Sequence, residues 1–133
     1  MRSFCDALGF LRDAMSERKV SKEFFGAFIV SEIISLYTTL DNEKDALVLA
    51  HLILKAKLAA CIQIESIQSL YNWKGSVQNA QEWRVLCKST REKEETLVNF
   101  VEANHPYEVP AVFTVQVSFA SRSYEEWLRS ELV

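Results

Sequence analysis

The chain has 133 residues, of which 49% are hydrophobic and 25% are charged, and its net charge is −3. This balance is typical of one globular domain and excludes a disordered, collagen-like or coiled-coil chain. The acidic surplus argues against nucleic acid as a partner. No apolar run approaches the roughly 18 residues of a membrane span, so a membrane partner is not expected either.

The three cysteines, Cys5, Cys61 and Cys87, do not have the pattern of a disulfide framework. Their number is odd, they lie far apart, and no two form a C-x-x-C pair. Cys61 and Cys87 stand in apolar surroundings, which is typical of a buried, inert thiol. The cysteines therefore favour the reducing cytoplasm as the location of the protein.

Residues 1–31 are predicted to form an N-terminal extension that precedes a single domain over residues 32–133. Residues 4–15 and 21–30 have apolar side chains at helical spacing. Asp6, Arg12 and Asp13 interrupt the first stretch, which is unlike a signal peptide. We expect amphipathic helices that pack on this domain or on a neighbouring subunit. The alternatives are a loosely ordered tail, a partner-binding helix, or a true start at Met15.

The first strand and helix are predicted from a change in pattern at Ile33. Residues 33–39 are β-branched and aromatic, which predicts a strand. Asp41 or Asn42 then supplies a helix N-cap. The apolar spacing of residues 46–58 predicts a helix with one buried face.

A long hairpin is predicted to follow from Cys61. Apolar residues occupy even positions up to Ile64 and odd positions from Ile67, which predicts a β-bulge or a bend at residues 65–66. Residues 74–80 are predicted to form a loop, because Lys74-Gly75 is a turn signal. The next strand is predicted around residues 83–88, where apolar and polar residues alternate.

The second half repeats the strand and helix order of the first. Thr90 is predicted to cap a helix that His105-Pro106 ends. A strand over residues 111–119 follows, and then a capping box at residues 123–126 that opens a short C-terminal helix. We therefore predict an α+β, ferredoxin-like βαββαβ fold: an antiparallel sheet with two helices on one face, plus the extra C-terminal helix. The other face would stay uncovered, which predicts self-association.

Six short motifs in residues 33–130 resemble, in order, those of the CutA proteins, the divalent-cation-tolerance family. The matching segments are residues 36–39 (LYTT), 57–62 (KLAACI), 69–75 (SLYNWKG), 86–90 (LCKST), 105–110 (HPYEVP) and 124–128 (YEEWL). The resemblance implies a cytosolic homotrimer of ferredoxin-like subunits joined through hairpin strands and similar in architecture to the PII signalling proteins. It also implies a link to tolerance of copper and other divalent ions.

Three residues depart from the pattern of the family at positions associated with copper. Tyr37 stands where many members have Cys, Asn104 where some have His, and Ala111 where most have Glu. These departures remove three donor groups, so any bound copper is expected to be weak and exchangeable, and no cofactor is expected to be required.

The residues best able to act chemically suggest two kinds of site. His105, Glu108 and Cys61 are the candidate metal ligands. Alternatively, a cleft between subunits would bind a small anion or metabolite, as in a PII-like sensor that signals to a partner. The expected members of that cleft are Tyr71, Trp73, Lys88, His105, Tyr107 and Glu108.

An enzyme is not expected. Cys61 and His105 are the only candidate nucleophile and base, and no third residue is placed to orient them. The sequence therefore predicts a non-enzymatic trimer associated with divalent cations, with the metabolite sensor as the alternative.

Overall fold

The computed structural model describes residues 31–133. The helices expected in the N-terminal extension, and the choice between Met1 and Met15, lie outside these residues. Among the described helices, none has the length and apolar character needed to cross a membrane.

Four strands and three helices form the described domain. In chain order they are β1 (Ile33–Leu40), α1 (Glu43–Lys55), β2 (Cys61–Trp73), β3 (Ser76–Thr90), α2 (Glu94–Asn104), β4 (Phe113–Gln116) and α3 (Arg122–Glu131), with a 3₁₀ turn at Arg91–Lys93 before α2. The sheet has the order β2-β3-β1-β4, and all neighbouring strands are antiparallel. The predicted α+β class and four-stranded antiparallel sheet are confirmed.

Helices α1 and α2 share one hydrophobic core on one face of the sheet. Leu36 from β1, Ile53 from α1 and Leu97 from α2 are all fully buried in it. Alternate residues of a strand point to the same face, so the even positions of β1 reach this core. Asn42 caps α1 by accepting a hydrogen bond from the Asp45 backbone N–H at 2.8 Å, as the sequence predicts.

Helix α3 covers part of the opposite face, which the sequence analysis leaves bare. Leu128 and Leu132 pack with Ile33 in a second, smaller core. The helix also begins earlier than predicted, because the Ser121 side chain, rather than that of Ser123, accepts the hydrogen bond from the Tyr124 backbone N–H. Only the part of this face beyond α3 remains open.

The hairpin of β2 and β3 contains no bulge and no long loop, so the predicted loop and the bulge alternative are wrong. Its pairing is uninterrupted from Cys61 opposite Lys88 to Trp73 opposite Ser76. Lys74 and Gly75 form a two-residue turn with φ values of 49° and 81°. Positive φ at both central residues suits the right-handed twist of a tight hairpin, and Gly75 adopts it without steric cost.

The end of this hairpin extends past the rest of the sheet. Strand β1 pairs with β3 only as far as Trp83, so residues 67–73 and 76–82 pair only with each other in the described chain. We call this two-stranded segment the ribbon. At roughly 3.3 Å per residue it is about 23 Å long. Near Ser66 the apolar residues change from even to odd positions, so they move to the other face of the hairpin. This is the point at which the two strands extend beyond the rest of the sheet and its helices.

Candidate ligand cleft

A cleft of about 830 Å³ lies between the ribbon and the turn that leads from α2 to β4. Four of the predicted cleft residues line it: Tyr71 and Trp73 from the ribbon, and Tyr107 and Glu108 from the turn. A volume within roughly 300–1,000 Å³ is usual for a small-molecule site. The cleft therefore has the size of a ligand site.

His105 lies behind the cleft and holds the turn in place. Its Nε2–H donates to the Thr39 carbonyl oxygen at 2.9 Å, and its Nδ1 accepts from the Tyr107 backbone N–H at 3.1 Å. Its ring also meets the Tyr107 ring edge-on, with 4.7 Å between the ring centroids. Burial lowers the pKa of His105 below its ordinary value. Because both ring nitrogens are bonded within the chain, His105 is placed as a structural residue and not as a metal ligand.

Glu82 is a member of the cleft that the sequence analysis misses. Its Oε2 accepts a hydrogen bond of 3.1 Å from the Tyr107 hydroxyl. Burial and the negative charge of Glu82 together raise the pKa of Tyr107 well above its ordinary value. The hydroxyl therefore keeps its proton and remains a donor to the carboxylate. The sequence predicts a loop at residues 74–80 and therefore does not give the register of β2 and β3. Without the register, the pairing of Glu82 with Ile67 cannot be predicted.

Lys88 and Cys61 lie at the opposite end of the sheet from the cleft. They pair with each other across β2 and β3. Lys88 is four residues beyond Arg84, the partner of Thr39, which is about 13 Å further along the strand. Within one chain, therefore, Cys61 lies apart from His105 and Glu108, and Lys88 does not line the cleft.

The positions that the resemblance associates with copper hold other contacts in this chain. The Tyr37 ring stacks on Phe113 with 5.2 Å between centroids, and the Asn104 amide donates to the Phe100 carbonyl at 2.8 Å. Ala111 lines the cleft but carries no donor group. Over residues 31–133, no three His, Cys, Asp or Glu side chains are grouped to hold a metal. A closed metal centre does not fit these residues.

In the single chain Cys61 is half-buried, whereas Cys87 is buried. Burial raises the pKa of Cys61, an effect that nearby Lys88 partly offsets, and it raises the pKa of Cys87 to about 12. The thiolate is the reactive form, so both thiols are less reactive than a free cysteine at pH 8.

We expect a thiol reagent at pH 8 to label Cys61 slowly and Cys87 only after unfolding, in a chain carrying Cys5→Ser. The Lys88→Gln variant should label more slowly at Cys61, because it loses the cation that favours the thiolate. Mass spectrometry of the labelled peptides measures both rates. Labelling of folded Cys61 as fast as a free thiol contradicts this expectation.

The chain is thus a small α+β protein in which a hairpin projects beyond the sheet and forms one side of a cleft. A family described as CutA1 divalent ion tolerance protein matches residues 34–131. The chain belongs to this family, which confirms the resemblance seen in its motifs.

Known relatives agree with this assignment. A divalent-cation tolerance protein CutA from Thermotoga maritima is 38% identical over 101 residues, which is 76% of this chain and all of that protein. A chloroplastic CutA from Arabidopsis thaliana is 38% identical over 73% of this chain but only 54% of its own length. The structure of CutA from Synechococcus elongatus superimposes with a TM-score of 0.75 at 33% identity and covers 82% of this chain and 98% of that one.

Proposed function

We propose that this chain forms a non-enzymatic homotrimer that acts in divalent-cation tolerance and binds copper or a similar ion weakly. The family supports the link to divalent-cation tolerance. The observation that carries the proposal is the ribbon, which has exposed apolar side chains on both faces and lies outside the core of its own chain.

The two faces of the ribbon support an obligate assembly. On one face, Leu70 and Val77 are 67% and 69% exposed. On the other, Tyr71 and Trp73 line the cleft and are 44% and 46% exposed. A two-stranded ribbon is marginally stable by itself, and exposed apolar surface of this kind marks an interface. The number of subunits, three, follows from the resemblance to the family.

The open part of the sheet face supports the same assembly. Phe113 and Val115 of the edge strand β4 are 53% and 46% exposed beside Tyr37. An edge strand with apolar side chains is a surface that a soluble protein normally covers. A neighbouring subunit packed against this face removes the exposed area from water.

Weak metal binding is supported by the donors that the chain retains. Glu82 and Glu108 line the cleft, whereas His105 uses both ring nitrogens within the chain. Two carboxylates completed by water make an exchangeable site, because closed sites for copper or zinc use three or four protein donors.

We expect copper to bind the chelator-treated trimer with micromolar or weaker affinity, and the trimer to stay folded without metal. His105→Ala should lower thermal stability, because it leaves the Thr39 carbonyl without its donor, while the copper affinity stays the same. Calorimetric titration and thermal unfolding measure the two effects. Nanomolar copper affinity that His105→Ala abolishes would show that His105 is a metal ligand. Unfolding upon metal removal would contradict the expectation that the trimer folds without metal.

The non-enzymatic part of the proposal rests on the positions of the reactive groups. Cys61 is remote from His105, and burial raises its thiol pKa. Nucleophilic catalysis needs a nucleophile, a base and an orienting group within hydrogen-bonding reach. The thiols of Cys61 and Cys87 are free, which supports the cytoplasm as the proposed compartment.

The cleft favours a second candidate function, a PII-like sensor that binds a small metabolite between subunits. Tyr71, Trp73 and Tyr107 form apolar walls, and a few polar groups converge among them. This arrangement is usual for small-molecule sites. Retention of an organic molecule by the purified trimer, detected by native mass spectrometry, tests this candidate.

A further inference from the structure

The charge of the cleft is negative, opposite to that expected for an anion site. Glu82 and Glu108 are its charged lining residues, and no lysine, arginine or histidine of residues 31–133 lines it. The ion pairs formed within the described chain involve other carboxylates, those of Glu65, Glu92, Glu125 and Glu126. Neither cleft carboxylate therefore forms an ion pair with a side chain in this part of the chain.

The walls of the cleft are aromatic. Tyr71 and Trp73 contribute rings from the ribbon, and Tyr107 contributes one from the turn. The face of an aromatic ring carries partial negative charge and attracts cations, most strongly in tryptophan. The Lys74 ammonium lies 5.8 Å from the centre of the Trp73 ring, so this indole already attracts a positive group of its own chain, with which a ligand cation would compete.

The Tyr107 hydroxyl lies among negatively charged groups of the cleft. It donates to Glu82, and Asp41 and Tyr71 also lie close enough to act on its proton. The carboxylates of Glu82 and Asp41 repel a further negative charge, so an additional anion beside them is disfavoured and a cation is favoured. His105 supports Tyr107 from behind and fixes its position.

From these observations we propose that the cleft binds a small quaternary ammonium compound. The aromatic walls suit its methyl groups, and Glu82 and Glu108 balance its charge without the directed ligands that a metal ion requires. A volume of about 830 Å³ also suits an organic molecule better than a bare ion. This inference rests on the second candidate function, since it names the class of metabolite that the cleft selects.

Choline and its neutral analogue 3,3-dimethyl-1-butanol provide the test, because they have nearly the same shape and differ in charge. Calorimetric titration of the full chain should show choline binding at least tenfold more tightly than the analogue, and no binding of inorganic phosphate at the same concentration. Glu108→Gln and Trp73→Leu should each weaken choline binding about fivefold or more. Glu131→Gln, which changes an exposed carboxylate on α3, should leave it unchanged.

Each alternative result has a distinct meaning. Equal binding of choline and the analogue shows an apolar pocket without charge selection and overturns the proposal, as does binding of phosphate in place of choline. Loss of choline binding in Glu131→Gln shows that the site lies elsewhere. Trp73→Leu is checked for oligomeric mass, and Glu108→Gln serves as the second variant if that mass changes. A trimer that binds copper but no choline refutes this inference alone, whereas a monomer refutes the proposed assembly.

Discussion

Replacing Val77 by Asp is expected to dissociate the trimer into single chains. Val77 is 69% exposed in one chain and shares its face of the ribbon with Leu70. If a neighbouring subunit buries this face, a carboxylate there must lose its water without gaining a partner, which costs several kcal/mol for each of the three copies. Light scattering should report a mass near the 15.3 kDa of one chain.

Val48→Asp is the matched control for this change. Val48 lies on the outer side of α1, away from the ribbon, and is 51% exposed. The same substitution there adds the same charge to an exposed valine, so the trimer should persist. Dissociation by both variants, or by neither, contradicts the assignment of the ribbon as the interface.

Replacing Leu36 by Ala is expected to lower the free energy of unfolding by about 2–5 kcal/mol. Leu36 lies on β1, which together with β3 forms the middle of the sheet. It is completely buried and contributes to the core that α1 and α2 share. Its removal leaves a cavity between the sheet and both helices. Because folding of an oligomer depends on concentration, denaturant unfolding is compared at one protein concentration.

Leu47→Ala serves as the control for the core. Leu47 lies on α1 and is 43% exposed, so its truncation should cost less than about 1 kcal/mol. Equal losses for Leu36→Ala and Leu47→Ala contradict the placement of the core on this face of the sheet.

Most of the fold can be read from the sequence because its strands and helices carry clear periodicity. The β-branched and aromatic run of β1, the alternation in β3 and the helical spacing after Asn42 predict the element order that the structure confirms. The hairpin is different. Its apolar residues change face at Ser66. Periodicity alone cannot distinguish a bulge from a regular strand that is buried on one face in its first half and carries its apolar residues on the other face in its second half.

The candidate site is predictable only in part, for a related reason. Tyr71, Trp73, Tyr107 and Glu108 line a cleft of one chain, whereas the sequence predicts them in a cleft between subunits. Residue type indicates what His105 and Lys88 can bind, but it does not indicate that both nitrogens of His105 are already bonded or that Lys88 lies far along the strand. Glu82 emerges only from the strand register. The packing of the N-terminal extension remains a prediction.

Native mass spectrometry of the full chain, purified without chelator, tests the proposed assembly most directly. Three chains of 15.3 kDa give an expected species of about 46 kDa, from which any metal dissociates readily upon exchange into fresh buffer while the mass of the assembly is kept. A monomer at micromolar concentration, or an assembly that falls apart when its metal is removed, contradicts the proposed trimer.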